Sequence, residues 1–412
     1  MTMPSSMMMR DSEGIDVCHG LYERRRVIIK RFPRSNHNVV DNEINVLLRA
    51  DHHKNIARYH ALEEDDNFFY LAMEDYECNF SNLMPKSIAN NVENESILGD
   101  NMKLWRENDK RPSPILLGLL RDIASGIAFL HKNRLVHRTL NPENILIKKE
   151  TTTTVLAKLS DMGFTKELRE DVSSISSRGT GYGMKEFKAP EQLRSERQTL
   201  EVDMHGLGCV FFYGITQGSH PFGEADVCAE IISKKKPSNL IMLDHFPEAK
   251  HLILRLLEDE PEKRPKIAEV LQHPMFWGAK KRLNFLRDTS DEANNNREFW
   301  KAMQNTRKKV FRGQWNSKVD KMITDHVKQF INRDFNFERV PDLLRLIRNM
   351  FSHLGQLPSN IQTLVGSQDE EFDDYFTSRF PELLIEVYKV VCGNFVCRYG
   401  VVAYYNGTFM FV

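Results

Sequence analysis

The stretch Leu135-Val-His-Arg-Thr-Leu-Asn-Pro-Glu-Asn144 decides the fold of this 412-residue chain. It follows the pattern His-Arg-Asp-x-x-x-x-Asn, in which the Asp accepts a hydroxyl proton and the Asn holds a magnesium ion. Thr139 stands at the Asp position, and a neutral hydroxyl cannot accept a proton near neutral pH. The stretch therefore keeps the metal-binding amide of Asn144 and lacks the base.

Further motifs of the same machinery flank this stretch in the expected order. Val27 to Lys30 reads as a buried strand that ends in a cation, and Glu43 follows in a run of helical spacing. The remaining motifs are Asp161-Met162-Gly163, in which Met replaces the usual Phe, then Ala189-Pro190-Glu191, Asp203 and Arg264. Together they predict an α+β fold, the bilobal protein-kinase fold.

The nucleotide site of this domain is predicted to be largely present. We expect it to bind ATP or ADP with Mg²⁺ through Gly14, Gly20, Lys30, Glu43, Glu74, Tyr76, Asn144 and Asp161, the last two as magnesium ligands. The two glycines would belong to the phosphate-covering loop, and Glu74 and Tyr76 would offer backbone groups to adenine. Binding should be weak, because the carboxylates of Asp11 and Glu13 would repel a triphosphate.

Phosphoryl transfer is predicted to be weak or lost. Asn141 replaces the Lys that steadies the transferred phosphate, so this position and Thr139 remove two contributions at once. The pattern favours a pseudokinase whose nucleotide acts as a conformational ligand and promotes dimerisation. A serine-rich segment is equally consistent with phosphorylation by an active relative and with a flexible polar loop; its candidate sites are Ser173, Ser174, Ser176, Ser177 and Thr180.

Composition and layout indicate several folded parts. With 41% hydrophobic residues the chain can bury more than one core, and its formal net charge of zero neither demands nor excludes nucleic acid. The six cysteines lack a metal or disulfide spacing, which fits a reducing compartment, and no apolar run suggests a membrane span. The predicted layout is a kinase-like domain at 1–277 (N lobe to about 76, solvated insertion about 77–112, C lobe about 113–277), an all-α domain at 278–391 and an unassigned aromatic tail at 392–412.

The all-α domain carries two distinctive blocks. Asp342 to Asn349 has apolar residues at helical spacing, and His353 follows one turn later. The second block is Tyr375-Phe-Thr-Ser-Arg-Phe-Pro-Glu-Leu-Leu384. Behind a kinase-like domain, these blocks resemble the unfolded-protein-response transducers, the inositol-requiring kinase/endoribonucleases, and more distantly ribonuclease L. The segments Gly20–Arg24 and Phe69–Glu74 make the plant members the most similar.

This resemblance implies metal-independent RNA cleavage by a kinase-extension nuclease domain. His353 matches the general acid that protonates the leaving 5′-oxygen, Arg348 a scissile-phosphate contact and Asn349 a residue that orients the site. Phe335 stands where the family has a Tyr, so it keeps stacking area without a hydroxyl, and Met350 replaces a Lys. If that Tyr helps to deprotonate the nucleophile, its loss costs roughly 10²- to 10⁴-fold in rate.

RNA binding would also need a basic surface. Two basic runs alternate with aromatic residues, which suits single-stranded RNA but also suits packing inside the domain, and packing is favoured for Trp277. The residues are Lys280, Lys281, Arg282, Arg307, Lys308, Lys309 and Arg312, with Trp277, Phe285, Phe311 and Trp315.

Two functional classes remain open. The first is a dimeric endoribonuclease that cleaves stem-loop RNA, as in stress-induced mRNA splicing, with a kinase-like switch. The second is a catalytically inactive pseudoenzyme that pairs with active relatives and modulates them. The resemblance implies RNA and a homodimer or heterodimer as partners, and no DNA. Relatives carry a lumenal sensor and a membrane span before the kinase, and this sequence has neither, so the chain is either a natural short form or a fragment. We expect it in the cytosol, and placement at the endoplasmic-reticulum surface would require a partner.

Overall fold

The computed structural model describes residues 1, 9–10, 15–50, 52–85, 98–99, 102–168, 183–223, 237–331 and 335–394. The chain divides into two units: unit 1 comprises Met1–Asp244 and Leu252–Leu271, and unit 2 comprises His245–His251 and Gln272–Val412.

Unit 1 begins with a five-stranded antiparallel sheet in the order β1-β2-β3-β5-β4. Its strands are β1 (Met9–Arg10), β2 (Asp16–Tyr22), β3 (Arg25–Pro33), β4 (Tyr59–Glu64) and β5 (Phe68–Glu74). The β-branched run Val27–Ile29 is buried in β3, which places Lys30 between Val17 and Leu71 on the neighbouring strands. Burial thus carries the Lys30 side chain into the interior.

The rest of unit 1 is mainly helical. Its α-helices include α1 (His37–Arg49), α2 (Pro114–Lys132), the four-residue α3 (Pro190–Leu193) and α4 (Glu201–Ile215). Short strands lie between them: β6 (Cys78–Asn79), β7 (Leu135–Val136), β8 (Ile145–Lys149), β9 (Val155–Leu159) and β10 (Lys166–Glu167). This sheet-plus-helix arrangement confirms the predicted fold class for unit 1.

Helix α2 is the central helix of unit 1. Ser113 caps it by accepting a hydrogen bond from the Leu116 amide at 3.3 Å, and Pro114 occupies its first turn. Among the described residues, only α2 has the length and hydropathy that would suit a membrane crossing, and half of it is buried inside the structure. Gly126 lets β9 come close, since a Cβ there would lie 2.8 Å from a Leu159 side-chain atom.

The predicted insertion at about 77–112 differs from the expectation of a solvated segment. Its described flanks contribute side chains to the interior of unit 1, each at most 7% exposed: Cys78, Phe80, Met84, Leu98, Met102 and Leu104. Its Asn- and Glu-rich middle, residues 86–97, lies outside the described residues. The polar composition of residues 86–97 led to the prediction of a solvated segment, although the apolar residues on both sides of it are buried.

Two helices cross the division between the units, α5 (Pro247–Leu256) and α6 (Ile267–Gln272). Unit 2 is helical and comprises α7 (Ala279–Asn295), α8 (Arg297–Asn305), α9 (Arg307–Val310), α10 (Lys321–Ile331), α11 (Val340–Ser352), α12 (Ser359–Val365), α13 (Asp369–Arg379) and α14 (Leu383–Asn394). Of the predicted tail, only Cys392–Asn394 is described, as the end of α14.

Helix α11 has a sharply divided surface. Leu343, Leu346, Ile347 and Met350 are at most 2% exposed and belong to the core of unit 2, while Arg348 lies on the opposite, polar side. Met350 is therefore a core residue of unit 2, which does not support the prediction that it marks a lost surface charge. The helix packs along α7.

Candidate functional site

In unit 1 the predicted phosphate contact, its partner and a metal ligand meet in one buried cluster. The Lys30 ammonium forms an ion pair with the Asp161 carboxylate and lies 3.6 Å from Oε1 of Glu43. All three residues are at most 7% exposed. This Lys–Glu pair and the metal-binding Asp are the parts that a nucleotide-competent kinase domain requires.

Helix α1 fixes the segment that contains Asp161. The side-chain amide of Asn42 donates to the carbonyl oxygens of Met162, Gly163 and Thr165 at 2.8–3.1 Å. Gly163 is required by close approach, because a Cβ there would lie 2.4 Å from Cγ1 of Val39. The Asp-Met-Gly segment is therefore closely packed against α1, although Met162 stands where the usual motif has Phe.

Asp203 on α4 anchors the backbone of the catalytic-loop stretch, Leu135 to Asn144, through hydrogen bonds. Its carboxylate accepts the backbone amides of His137 and Arg138 at 2.9 and 2.8 Å, and Nε2 of His131 lies 2.9 Å from it. Burial favours a protonated carboxyl, but these hydrogen bonds outweigh it and keep the pKa of Asp203 below its ordinary value. Arg138 adopts a φ of +73°, so this backbone depends on its anchors.

Thr139 lies at the base position without the chemistry of a base. Its hydroxyl is 3.3 Å from Nδ1 of His137, whose Nε2 donates to the Ser160 carbonyl at 2.9 Å. Burial lowers the pKa of His137, which keeps the imidazole neutral. The Thr139 hydroxyl is therefore a donor to His137, and the geometry supports the loss of the proton acceptor that the sequence predicts.

Asn141 and Asn144 stabilise the same turn. Asn141 accepts the backbone amides of Glu143 and Asn144, and both side-chain amides donate to the Thr139 carbonyl at 3.1 and 2.9 Å. The Asn144 side-chain oxygen accepts no hydrogen bond from the described residues. An amide oxygen and the Asp161 carboxylate form the oxygen donor set that Mg²⁺ prefers, so these residues fit the metal.

Glu74, which is predicted to offer a backbone group to adenine, has a structural role in unit 1. Its carboxylate accepts Lys148 Nζ at 2.6 Å, Lys158 Nζ at 2.9 Å and the Arg58 amide at 2.8 Å. Burial opposes ionisation, but the two lysines hold the pKa of Glu74 below its usual range. The Glu74 amide donates to the Arg58 carbonyl at 3.0 Å, so this amide is not available for adenine. Tyr76 follows at the half-buried end of this segment.

The glycine predictions need one correction. Gly20 lies inside β2, opposite Val27, so it belongs to a strand and not to the phosphate-covering loop. The sequence cannot show this because a glycine in a hairpin and one in a loop carry the same signal. Gly14 and the candidate phosphorylation sites at 173–180 lie outside the described residues.

In unit 2 the three predicted nuclease residues lie at the end of α11. Arg348 donates from Nε to Asp291 and from Nη1 to Asn349, both at 3.0 Å. His353 caps the end of the helix, and its exposed ring places Nδ1 at 3.2 Å from Oε1 of Gln356. The Arg348 guanidinium and the Asn349 amide thus lie near the C-terminal end of α11, and the solvent-facing His353 imidazole follows one turn later.

Phe335 does not provide the predicted stacking surface. The Phe335 residue is 9% exposed, and the Arg345 guanidinium lies 4.5 Å from the centroid of its ring. The Trp315 ring packs edge-on against it, with 6.1 Å between the two ring centroids. A base cannot stack on a face that a guanidinium already covers. Arg345 is fixed in turn by an ion pair with Asp342 at 3.0 Å. The ring at position 335 is a core residue of unit 2.

The aromatic residues of the mixed basic and aromatic runs are structural, and two of the cations have carboxylate partners. Trp277, Phe285, Phe311 and Trp315 are all buried in the core of unit 2, which decides the open alternative in favour of packing. Arg282 is buried between Glu248 at 3.1 Å and Asp373 at 2.8 Å, and Lys309 pairs with Glu386 at 3.2 Å. These two cations are therefore engaged by carboxylates.

Sequence reasoning missed several residues that shape the site. Asp291 and Gln356 carry no motif, and only the structure places them beside Arg348 and His353. The second block has a structural explanation: the Tyr375 hydroxyl donates to Asp320 at 2.6 Å, and the Arg379 guanidinium lies 3.6 Å from the Tyr375 ring centroid. The block ties α13 to the start of α10.

Comparison with known proteins agrees with this two-part organisation. The protein kinase domain model matches residues 18–276, and the ribonuclease 2-5A model matches residues 282–397. The serine/threonine-protein kinase/endoribonuclease IRE1a of Arabidopsis thaliana is 41% identical over 414 residues, covering 94% of this chain and 48% of the relative. The IRE1 of Oryza sativa subsp. japonica is 41% identical over 385 residues, covering 93% of this chain and 42% of the relative.

Another similar relative is named as an inactive protein. The inactive serine/threonine-protein kinase/endoribonuclease IRE1-like protein of Arabidopsis thaliana is 33% identical over 412 residues, covering 92% of this chain and 74% of that relative. The chain thus spans about half the length of the first relatives and about three quarters of the inactive one.

Proposed function

The chain belongs to the IRE1 kinase/endoribonuclease family, and from this premise we propose that unit 2 cleaves stem-loop RNA while unit 1 acts as a nucleotide-controlled switch in the unfolded protein response. The observation that carries the proposal is the end of α11, where Arg348 donates to the adjacent Asn349 and the exposed His353 follows one turn later in the sequence. The placement of the chain at the cytosolic face of the endoplasmic reticulum, through a partner, is part of the same proposal.

The chemistry follows from the side chains. Attack by a ribose 2′-hydroxyl on the adjacent phosphate builds negative charge on the phosphate oxygens, which the Arg348 guanidinium can share through paired hydrogen bonds. The bond from phosphorus to the 5′-oxygen breaks as the 2′-oxygen bonds to phosphorus; the leaving 5′-oxygen takes a proton from the exposed imidazole of His353, and the proton of the 2′-hydroxyl passes to water. No step requires a metal ion, so chelators should leave the reaction unchanged.

Unit 1 would act through binding and not through catalysis. Lys30, oriented by its ion pair with Glu43, would face the phosphates, and Asn144 with Asp161 would hold Mg²⁺, which neutralises phosphate charge when bound. Because Thr139 donates its hydroxyl to His137, a substrate hydroxyl finds no base at that position. A nucleotide that binds one conformation more tightly shifts the population toward it, and we propose that this conformation is the dimerising one.

Three measurements test this function. The purified chain should cleave a fluorescent stem-loop RNA with or without a chelator. The variant His353→Ala should not cleave this RNA. As the control, His245→Ala changes another exposed histidine of unit 2 and should leave cleavage intact. Calorimetry should detect weak binding of ADP with Mg²⁺, and sedimentation should show more dimer when ADP is present. Absence of cleavage by the wild-type chain would contradict the nuclease proposal.

A second candidate function has its own support. The loss of the base at Thr139, the replacement of a family Tyr by the buried Phe335 and the similarity to a relative named inactive all favour a pseudoenzyme that pairs with active relatives and modulates them. RNA that binds without being cleaved, together with a changed cleavage rate of an active relative in a mixed sample, would identify this function.

A further inference from the structure

The side chain of Arg348 is braced by a carboxylate from another helix. Its Nε donates to Oδ1 of Asp291 on α7, and its Nη1 donates to Oδ1 of Asn349, both at 3.0 Å. The Arg348–Asp291 pair is not buried, because 38% and 45% of the two side chains remain exposed. It therefore lies where a solvent-borne ligand can reach it.

These two bonds decide which edge of the guanidinium a ligand meets. An arginine has five N–H donors in a rigid planar fork. Asp291 occupies the Nε donor and Asn349 one donor of Nη1, which leaves one donor on Nη1 and two on Nη2. The edge formed by Nη1 and Nη2 can then donate two parallel hydrogen bonds to two oxygens of one phosphate.

We infer that Asp291 is a positioning residue that aims the Nη1–Nη2 edge of Arg348 at an RNA phosphate; this inference rests on the proposed nuclease function. The carboxylate has a second effect. It neutralises part of the Arg348 charge and so weakens the long-range attraction between the site and RNA. Asp291 thus improves orientation at the expense of affinity.

This double role predicts opposite effects of one substitution. In Asp291→Ala the guanidinium loses its brace and its neutralising partner. We expect RNA to bind about 3-fold more tightly at low salt, with a steeper salt dependence by up to about 0.7 in the logarithmic slope. The cleavage rate at saturating RNA should fall about 10- to 100-fold, because the phosphate contact is no longer aligned. Asp291→Asn keeps an acceptor oxygen and should retain a rate within about 3-fold of wild type.

The neighbouring acid on α7 provides the control. Asp288→Ala makes the same change of net charge three residues away, where the carboxylate contacts Arg287. It should leave the cleavage rate within about 2-fold. A purely structural role of Asp291 would weaken binding and cleavage together, so a parallel loss of both in Asp291→Ala overturns the inference, as does an equal effect of Asp288→Ala.

Two readouts do not depend on cleavage. Binding is measured with a stem-loop whose loop nucleotides carry 2′-deoxyribose and cannot be cut. The Nε–H signal of Arg348 in ¹⁵N NMR, assigned with Arg348→Lys, should move and exchange faster in Asp291→Ala. If the wild type does not cleave but these changes appear, the positioning role stands and the nuclease proposal fails. An unmoved signal, or no RNA binding by any variant, overturns the positioning role.

Discussion

The substitution Asp373→Asn should make the stability of unit 2 less dependent on pH. Arg282 is buried between two carboxylates, Glu248 at 3.1 Å and Asp373 at 2.8 Å, so the group carries one negative charge too many for a dry interior. Burial accordingly raises the pKa of Asp373 to about 6. An Asn at this position keeps the oxygen that faces Arg282 and removes the surplus charge.

The magnitude follows from linkage. In the unfolded chain an Asp titrates near about 3.9, so the folded pKa is higher by about two units, or about 3 kcal/mol. Because the folded carboxyl binds its proton more tightly, this group favours folding at pH 4. That contribution is lost as the pH rises to about 6. Asp373→Asn should therefore match wild type near pH 4 and exceed its free energy of unfolding by about 3 kcal/mol near pH 7.

Tryptophan fluorescence during urea unfolding is a suitable assay, because three of the four tryptophans, Trp277, Trp300 and Trp315, belong to unit 2. Asp374→Asn is the matched control, since it removes the same charge from an exposed neighbour on the same helix. A stability difference between wild type and Asp373→Asn that stays constant from pH 4 to pH 7 would refute the reasoning, as it would mean that the carboxyl titrates like an exposed one.

Three further substitutions test other parts of the structure. Arg282→Met leaves two buried carboxylates without a counter-charge and should lower the free energy of unfolding by about 3 to 5 kcal/mol, whereas the exposed Lys280→Met should change it by less than about 0.5 kcal/mol in the same assay. Gly163→Ala should weaken ADP binding in calorimetry, because its Cβ would meet Val39 at 2.4 Å, and Val39→Ala in the same chain should restore the affinity. Phe335→Tyr should raise the RNA cleavage rate by about 10² or more if the missing hydroxyl limits the nuclease; an unchanged rate with an unchanged melting temperature would assign position 335 to packing alone.

The kinase-like unit could be predicted from sequence because its functional residues are held by local motifs in a fixed order. Lys30 and Glu43 form the expected pair, and Asp161 joins them. Each motif combines a functional side chain with neighbouring residues that fix its backbone. Gly163, for example, allows the segment that contains Asp161 to approach α1 closely. Such local agreement between sequence and geometry is readable without knowledge of the remaining chain.

Unit 2 was harder to predict because burial there depends on residues distant in sequence. Arg282 reads as part of a surface basic run, and only the approach of Glu248 and Asp373 turns it into an interior residue. Phe335 reads as an exposed aromatic until Arg345 covers its ring. Amphipathic spacing predicted the buried side of α11 correctly, but spacing gives no information about which partner meets the other side.

The kinase residues that unit 1 retains are those that a nucleotide-binding switch needs, even if the unit transfers no phosphoryl group. Asp203 anchors the backbone of the catalytic loop, and the buried pair of Arg264 and Glu191, at 2.6 Å, holds the helical part together, so losing either would cost stability. Thr139 and Asn141 replace groups that act only in phosphoryl transfer, and their side chains form hydrogen bonds within the loop. A nucleotide that binds the folded unit stabilises it by mass action whether or not a phosphoryl group moves. A switch therefore needs the retained residues and can dispense with the replaced ones, which is the distribution that this chain shows.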